Sequence, residues 1–229
     1  EIYVSAKTRL FVSALDFLEK ELRGPGLLLD IGCAGGELLK TASARGWKAE
    51  GIELDPALAA QASAGGFRVI ARPAEDAGLE GGRYDAVTAL EVFSAMTDPA
   101  AAAAAAFSAL KPGGAIYVRE FNASFHLAAG APLPGRLFGA FGLKPSVLHN
   151  FNFRAKSLRA LLGRAGFGDI KIANSRPTDG DPYRTGGPLG RGLTGRLKFL
   201  YYFLSEVVFY ASFGRLLAGS SLIATAKKP

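Results

Sequence analysis

The chain reads as an α/β protein built on a doubly wound, mostly parallel sheet. Short apolar runs at residues 27–31, 48–53 and 67–71 alternate with amphipathic or alanine-rich stretches of helical length. A glycine turn, Gly32-Cys33-Ala34-Gly35-Gly36, joins the first run to the helical stretch behind it. Acids stand at the ends of the first two runs, Asp30 and Glu53. Ligands in such sheets sit beyond the carboxyl ends of the strands, so the glycine turn and these acids mark the site.

Each element has a local reason. Residues 5–22 place Leu10, Phe11, Ala14, Leu15 and Leu18 on one face of an amphipathic helix. That helix packs on the sheet or caps the site, with Arg9 or Tyr3 nearby. Gly24-Pro25-Gly26 breaks the chain before strand one. Glycine in the turn permits positive φ and close approach of a ligand to the main chain. Residues 36–45 form the first crossover helix, whose N-terminal amides open toward the ligand. Residues 48–53 are strand two, and Glu53 can accept both hydroxyls of a ribose. Asp55 N-caps a helix that starts at Pro56. Residues 67–71 are strand three. Asp98-Pro99 opens a helix through Leu110, rich in alanine over 100–106.

The turn does not follow the dinucleotide register G-x-G-x-x-G, and Asp30 would repel a pyrophosphate while suiting a cationic ligand. Asp30, Gly32 and Gly36 resemble the D-x-G-x-G-x-G motif of class I S-adenosylmethionine (SAM) methyltransferases, with Ala34 in place of the middle glycine. Tyr84-Asp85-Ala86-Val87-Thr88-Ala89-Leu90-Glu91 resembles that family's fourth strand. Leu110-Lys111-Pro112-Gly113-Gly114 resembles its turn into strand five, and Arg164-Ala165-Gly166-Phe167 its late A-G-F turn. The resemblance covers residues 27–175, with a last strand at 221–227. It implies a seven-stranded Rossmann-like sheet with a helical insertion before the last strand, and SAM as cofactor. Asp30, Gly32, Cys33, Ala34 and Gly36 would face its amino-acid part, Glu53 its ribose and Leu54 its adenine. Ala74 and Glu75, with Asp76, would read the adenine amino group. Leu90, Glu91 and Phe93 would complete the pocket near the methyl group.

Many small-molecule members carry E-V-L-E-H-x-x-D-P after strand four. Here Ser94 and Ala95 replace the Glu-His pair within Glu91-Val92-Phe93-Ser94-Ala95-Met96-Thr97-Asp98-Pro99. Either alignment alone drives transfer, or the chain is an inactive SAM-binding scaffold. His149 and His126 are the remaining candidates for a base that deprotonates a hydroxyl near neutral pH. A third reading, nucleic-acid methylation, suits the basic half but lacks the N/D-P-P-Y/F element of base-modifying members. The favoured function is O-methylation of a small-molecule, sugar-linked or lipid-linked acceptor.

Composition bounds the rest. Residues 1–120 carry 12 Lys and Arg against 16 Asp and Glu, a net −4, and residues 121–229 carry 15 against 4, a net +11. A basic acceptor half suits an anionic acceptor or an anionic membrane. Cys33 is the one cysteine, which excludes an internal disulfide and fits a reducing cytoplasm. Two histidines and one cysteine are too few soft ligands for zinc, and no metal is expected. The first residues show no signal-peptide pattern, and the chain opens on Glu1 rather than Met, which leaves preceding residues open. The expected location is cytoplasmic, with the inner membrane surface as an option.

The organisation expected is one methyltransferase domain over 1–229: a capping helix (1–23), a SAM-binding core (24–173), an insertion (174–220) and a final strand (221–229). Within the insertion, 175–195 reads as a loop over the acceptor. Residues 196–217 read as a helix apolar nearly all round, flanked by Arg191, Arg196, Lys198 and Arg215. Glu206 near its middle argues against spanning a bilayer. An interfacial membrane helix, a homodimer contact, a lid and added core are the readings. The acceptor enters beside the N-terminal helix, the 121–153 segment and this insertion.

Overall fold

A computed structural model describes residues 2–129, 131, 149–178 and 190–229; for residues 2–6 and 190–194 it describes the backbone alone. The elements alternate from the start: α1 (Ile2–Leu22), β1 (Leu27–Ile31), α2 (Glu37–Ser43), β2 (Lys48–Ile52), α3 (Pro56–Ala64) and β3 (Arg68–Ile70). They continue through β4 (Tyr84–Leu90), α4 (Pro99–Ala109), β5 (Leu110–Phe121), α5 (Ala123–Ala129), α6 (Ala155–Arg164), β6 (Gly168–Asn174), α7 (Gly190–Ala211) and β7 (Ser221–Lys227).

The seven strands lie in the order β3-β2-β1-β4-β5-β7-β6, and β7 runs antiparallel to both of its neighbours. This is the doubly wound, Rossmann-like sheet expected from the sequence, with α7 inserted between its last two strands. Alternation along β1 shows why both faces are covered. Leu28 joins the cluster formed with Phe11, Leu15 and Leu18 of α1 and Leu38 of α2. Leu29 and Ile31 point to the other face, among the alanines of α4 and Leu158 and Leu162 of α6. Ala102, Ala103, Ala106 and Ala109 are fully buried, so the alanine run lets α4 lie close to the sheet. Asp55 and Asp98 each cap a helix as expected, accepting from Ala57 and Leu58 in one case and Ala100 and Ala101 in the other.

Two expectations shift. The insertion helix starts at Gly190 and ends at Ala211 rather than running over 196–217. Phe213 and Gly214 adopt φ of 53° and 77°, and the Gly214 amide donates to the Phe209 carbonyl at 2.8 Å, a left-handed stop that ends the helix early. Nor is the helix apolar all round. Ser205 is buried against the sheet edge, where Asn174 Nδ2 donates to the Ser205 carbonyl at 3.2 Å and to Glu206 Oε1 at 3.0 Å. The side chains of Tyr3 and Arg191 and much of the two expected acceptor-covering loops lie outside the described residues.

Candidate active site

The strand ends build the site. The Gly32 and Cys33 amides both donate to the Ile52 carbonyl, at 2.8 and 3.0 Å, which pins the glycine turn to the end of β2. At Gly32, φ is 75°, and a Cβ there would overlap Val92 Cγ1, so glycine is the residue that fits without displacing Val92. Ala34 also lies in the left-handed region, with φ of 47°. A residue with a Cβ therefore occupies the backbone conformation that glycine adopts without strain. Glu53 reaches across from β2: one carboxylate oxygen accepts from the Ala34 amide and the other from the Asp55 amide, both at 2.9 Å. Each oxygen keeps a second lone pair for a ligand.

These residues surround a cavity of about 450 Å³, the size of an ordinary small-molecule site. Asp30, Gly32, Cys33, Ala34, Glu53, Leu54, Ala74, Glu75, Leu90 and Glu91 all line it. Gly36 and Phe93 do not. Gly36, at φ of 88°, caps α2 against Ala62, and Phe93 is fully buried in the core under α4. Asp76 is exposed outside the cavity. From α1 it is Lys7 and Phe11 that reach the cavity, while Arg9 is exposed away from it. The helical spacing of Lys7 to Phe11 along the buried face was a signal that could have singled out Lys7. Arg72, Pro73, Val92, Met96 and Thr97 were also missed. Arg72 and Pro73 sit on the segment after β3, and Val92, Met96 and Thr97 within the motif stretch after β4, whose pattern does not tell which side chains turn to the cavity.

The electrostatics favour a cation. Asp30, Glu37, Glu53, Glu75 and Glu91 face the cavity against Lys7 and Arg72, and Lys7 Nζ is already engaged at 2.9 Å by Glu91. Burial pushes the Asp30 carboxyl up to about 7, opposed by the Thr88 hydroxyl that donates to it at 2.7 Å. Such a carboxyl gains most from a positive ligand. Burial also pushes the Cys33 thiol up to about 12, so it is a small packed side chain and not a thiolate. Glu91 holds φ of 63° and pairs with both Lys7 and Arg119, whose side chains are almost wholly enclosed. Arg119 also donates to Ser175 and Ser221 at 2.7 and 3.1 Å, which ties it to the residue just after β6 and to the start of β7.

The candidate bases lie next door. His126 and His149 line a small hollow with Ser94, Phe121 and Phe153, separate from the larger cavity. The connection after β4 serves both: Val92, Ala95 and Met96 face the cavity, and Ser94 faces the hollow. His126 Nε2 lies 3.0 Å from the Ser220 carbonyl, an acceptor, which sets the Nε2–H tautomer, and burial lowers its pKa. His149 stacks on Phe121 with ring centroids 5.4 Å apart. Beneath them Glu120 is fully buried, and burial pushes its carboxyl up to about 7.

A seven-stranded sheet of this order, with an acid-lined cavity at its strand ends, defines a class I nucleoside-cofactor fold. Residues 3–172 match the methyltransferase-domain family. The chain is 32% identical over 166 residues to a ubiquinone biosynthesis O-methyltransferase of Xanthomonas axonopodis pv. citri, covering 66% of this chain and 67% of that one. A namesake from Xanthomonas campestris pv. campestris (strain B100) is 34% identical over 137 residues, 54% of this chain and 56% of that one. The chain thus spans between half and two thirds of these relatives' length. The structure of an S-adenosylmethionine-dependent methyltransferase from Mesorhizobium loti shares the fold, with a TM-score of 0.63 at 16% identity and full coverage of both chains. The chain belongs to the methyltransferase-domain family. The carboxylate-rich cavity fits a ligand that carries a sulfonium and an ammonium group.

Proposed function

We propose that this chain transfers the methyl group of SAM to a hydroxyl oxygen of a small-molecule acceptor that is lipid- or sugar-linked. The Glu53 carboxylate, held by two backbone amides at the mouth of an acid-lined cavity, carries the cofactor half of this reading. The relatives named O-methyltransferases support oxygen as the acceptor atom. SAM supplies an electrophilic methyl on a positive sulfur. Glu53 holds the ribose hydroxyls, and Asp30 balances the positive charge. Leu54, Ala74 and Glu75 border the adenine, and Leu90 and Glu91 close the methyl end. Enclosure by Phe11, Met96 and Val92 keeps water from the transfer.

The acceptor's hydroxyl meets the methyl end beside Ala95 and Met96, the part of the cavity next to the hollow. Its oxygen forms the new C–O bond as the C–S bond breaks, and its proton passes to His149 or His126. Neutral imidazole is suited to that step. Ser94 and Ala95 leave the family's usual Glu-His position without a base, so the histidines across the hollow take that duty.

The test is transfer from deuteromethyl SAM to a panel of lipid- and sugar-linked alcohols and phenols, read by mass spectrometry. Label on oxygen, lost in a His126→Ala/His149→Ala double variant that still binds SAM, is the expected result. Label on nitrogen or carbon acceptors alone, or full activity in the double variant, would overturn the proposal.

A further inference from the structure

Helix α7 leaves a long apolar stripe in solvent. Leu200, Phe203, Leu204, Val207 and Val208 recur at i, i+3, i+4, i+7 and i+8, and all five are exposed. The face turned to the protein carries the half-buried rings of Tyr201 and Tyr202, with Ser205 buried and Glu206 held by Asn174. The turn after the helix continues the outward stripe, where Phe213 is 91% and Leu216 58% exposed. Twelve large apolar side chains are exposed among the described residues, and eight of them lie between 200 and 216. Scattered surface leucines need no explanation, but a contiguous stripe of this kind marks a binding surface.

We infer that this face docks on an anionic lipid surface, with α7 lying in the plane of the interface. Charge decides the occupant. Arg176, Arg196 and Arg215 are exposed around the stripe. Glu206, the one acid of α7, is turned to the sheet edge. Apolar side chains rimmed by arginine suit the boundary between acyl chains and acidic headgroups. A two-fold contact between copies of this chain would instead bring the same arginines against one another. No helix among the described residues is long and apolar enough to cross a membrane, so the contact is peripheral.

The surface also lies beside the acceptor end. Tyr201 of α7 packs on Phe125 of α5 with ring centroids 5.1 Å apart. One residue on, His126 is held by the Ser220 carbonyl. A lipid-borne acceptor would thus leave the bilayer close to the hollow that holds the histidines. The docking surface does not depend on the acceptor's identity, because lipid binding is read without SAM or acceptor.

The experiment is co-sedimentation of the whole chain with vesicles of phosphatidylcholine alone or mixed with phosphatidylglycerol, over a range of salt. Binding to the anionic vesicles that weakens as salt rises is expected. Phe203→Ser and Val207→Ser should each weaken it by about tenfold while the melting temperature holds. Arg196→Gln and Arg215→Gln should each weaken it by about fivefold and flatten the salt dependence. Absence of vesicle binding at every salt concentration would overturn the inference. So would undiminished binding by the folded apolar variants. A dimer in sedimentation equilibrium that Phe203→Ser dissociates would overturn it as well, since a second copy would then cover the face.

Discussion

Removing the Glu53 side chain tests the cofactor site most directly. In the structure both carboxylate oxygens are occupied on one side by backbone amides, Ala34 and Asp55 at 2.9 Å each. That leaves one outward lone pair on each oxygen, enough for the two ribose hydroxyls. Hydrogen bonds to a charged acceptor contribute about 1.5 kcal/mol each at the low end of their range, which suits this partly exposed group. Glu53→Ala should therefore weaken SAM or S-adenosylhomocysteine by about 3 kcal/mol, a little over two decades in Kd. Titration calorimetry reads this. The substitution also frees the Ala34 amide and loosens the glycine turn, so affinity alone does not isolate the ribose contact. A double cycle does: the native chain and Glu53→Ala are each titrated with S-adenosylhomocysteine and its 2′,3′-dideoxy form. The native chain should lose about 3 kcal/mol on deletion of the hydroxyls, and the variant almost nothing. A coupling energy under about 0.5 kcal/mol would refute the ribose assignment even if the variant bound weakly.

Asp30 carries a pH signature. Its carboxyl is pushed up to about 7, and a cationic ligand favours the ionised form, so SAM affinity should rise as pH rises through that value. Folding stability should move the opposite way: between the usual carboxylate range and about 7 the folded state binds more protons than the unfolded, so raising the pH destabilises it. Asp30→Asn should abolish the first slope and its own share of the second, with Glu120 keeping the remainder; unchanged pH dependence of SAM binding would exclude Asp30 from the contact. Glu91→Gln leaves Lys7 and Arg119 enclosed without their shared carboxylate, and should cost about 3 kcal/mol, or roughly 6–12 °C in Tm by calorimetry. Loss of less than about 1 kcal/mol would show that the triad is not a structural lock. Ala34→Gly relieves a left-handed alanine and should hold or raise stability, whereas Ala34→Val should lie about 1–2 kcal/mol below it in urea denaturation; equal midpoints would deny strain at that turn.

The parts of the fold legible in the sequence are those whose cause is local. Leu27 to Ile31, the glycine turn and the Asp55-Pro56 and Asp98-Pro99 caps each carry their reason within a few residues, and their elements stand where expected. Asp30 and Glu53 follow because strand ends and site coincide in this topology. What stayed hidden depends on partners distant in the chain. Phe93 sits amid cavity-lining neighbours yet turns into the core, because Ala102, Ala103 and Ala106 leave room under α4. Lys7 enters the site through Glu91, 84 residues away. Composition alone makes α7 look apolar nearly all round. Ser205 and Glu206 face inward because the edge strand β6 ends in Asn174, whose amide needs the acceptors that they provide. That amide and the packing of Tyr201 on Phe125 hold the helix with its apolar stripe facing outward. Sequence periodicity locates a stripe on a helix, but only the partner of the opposite face shows which way the stripe points.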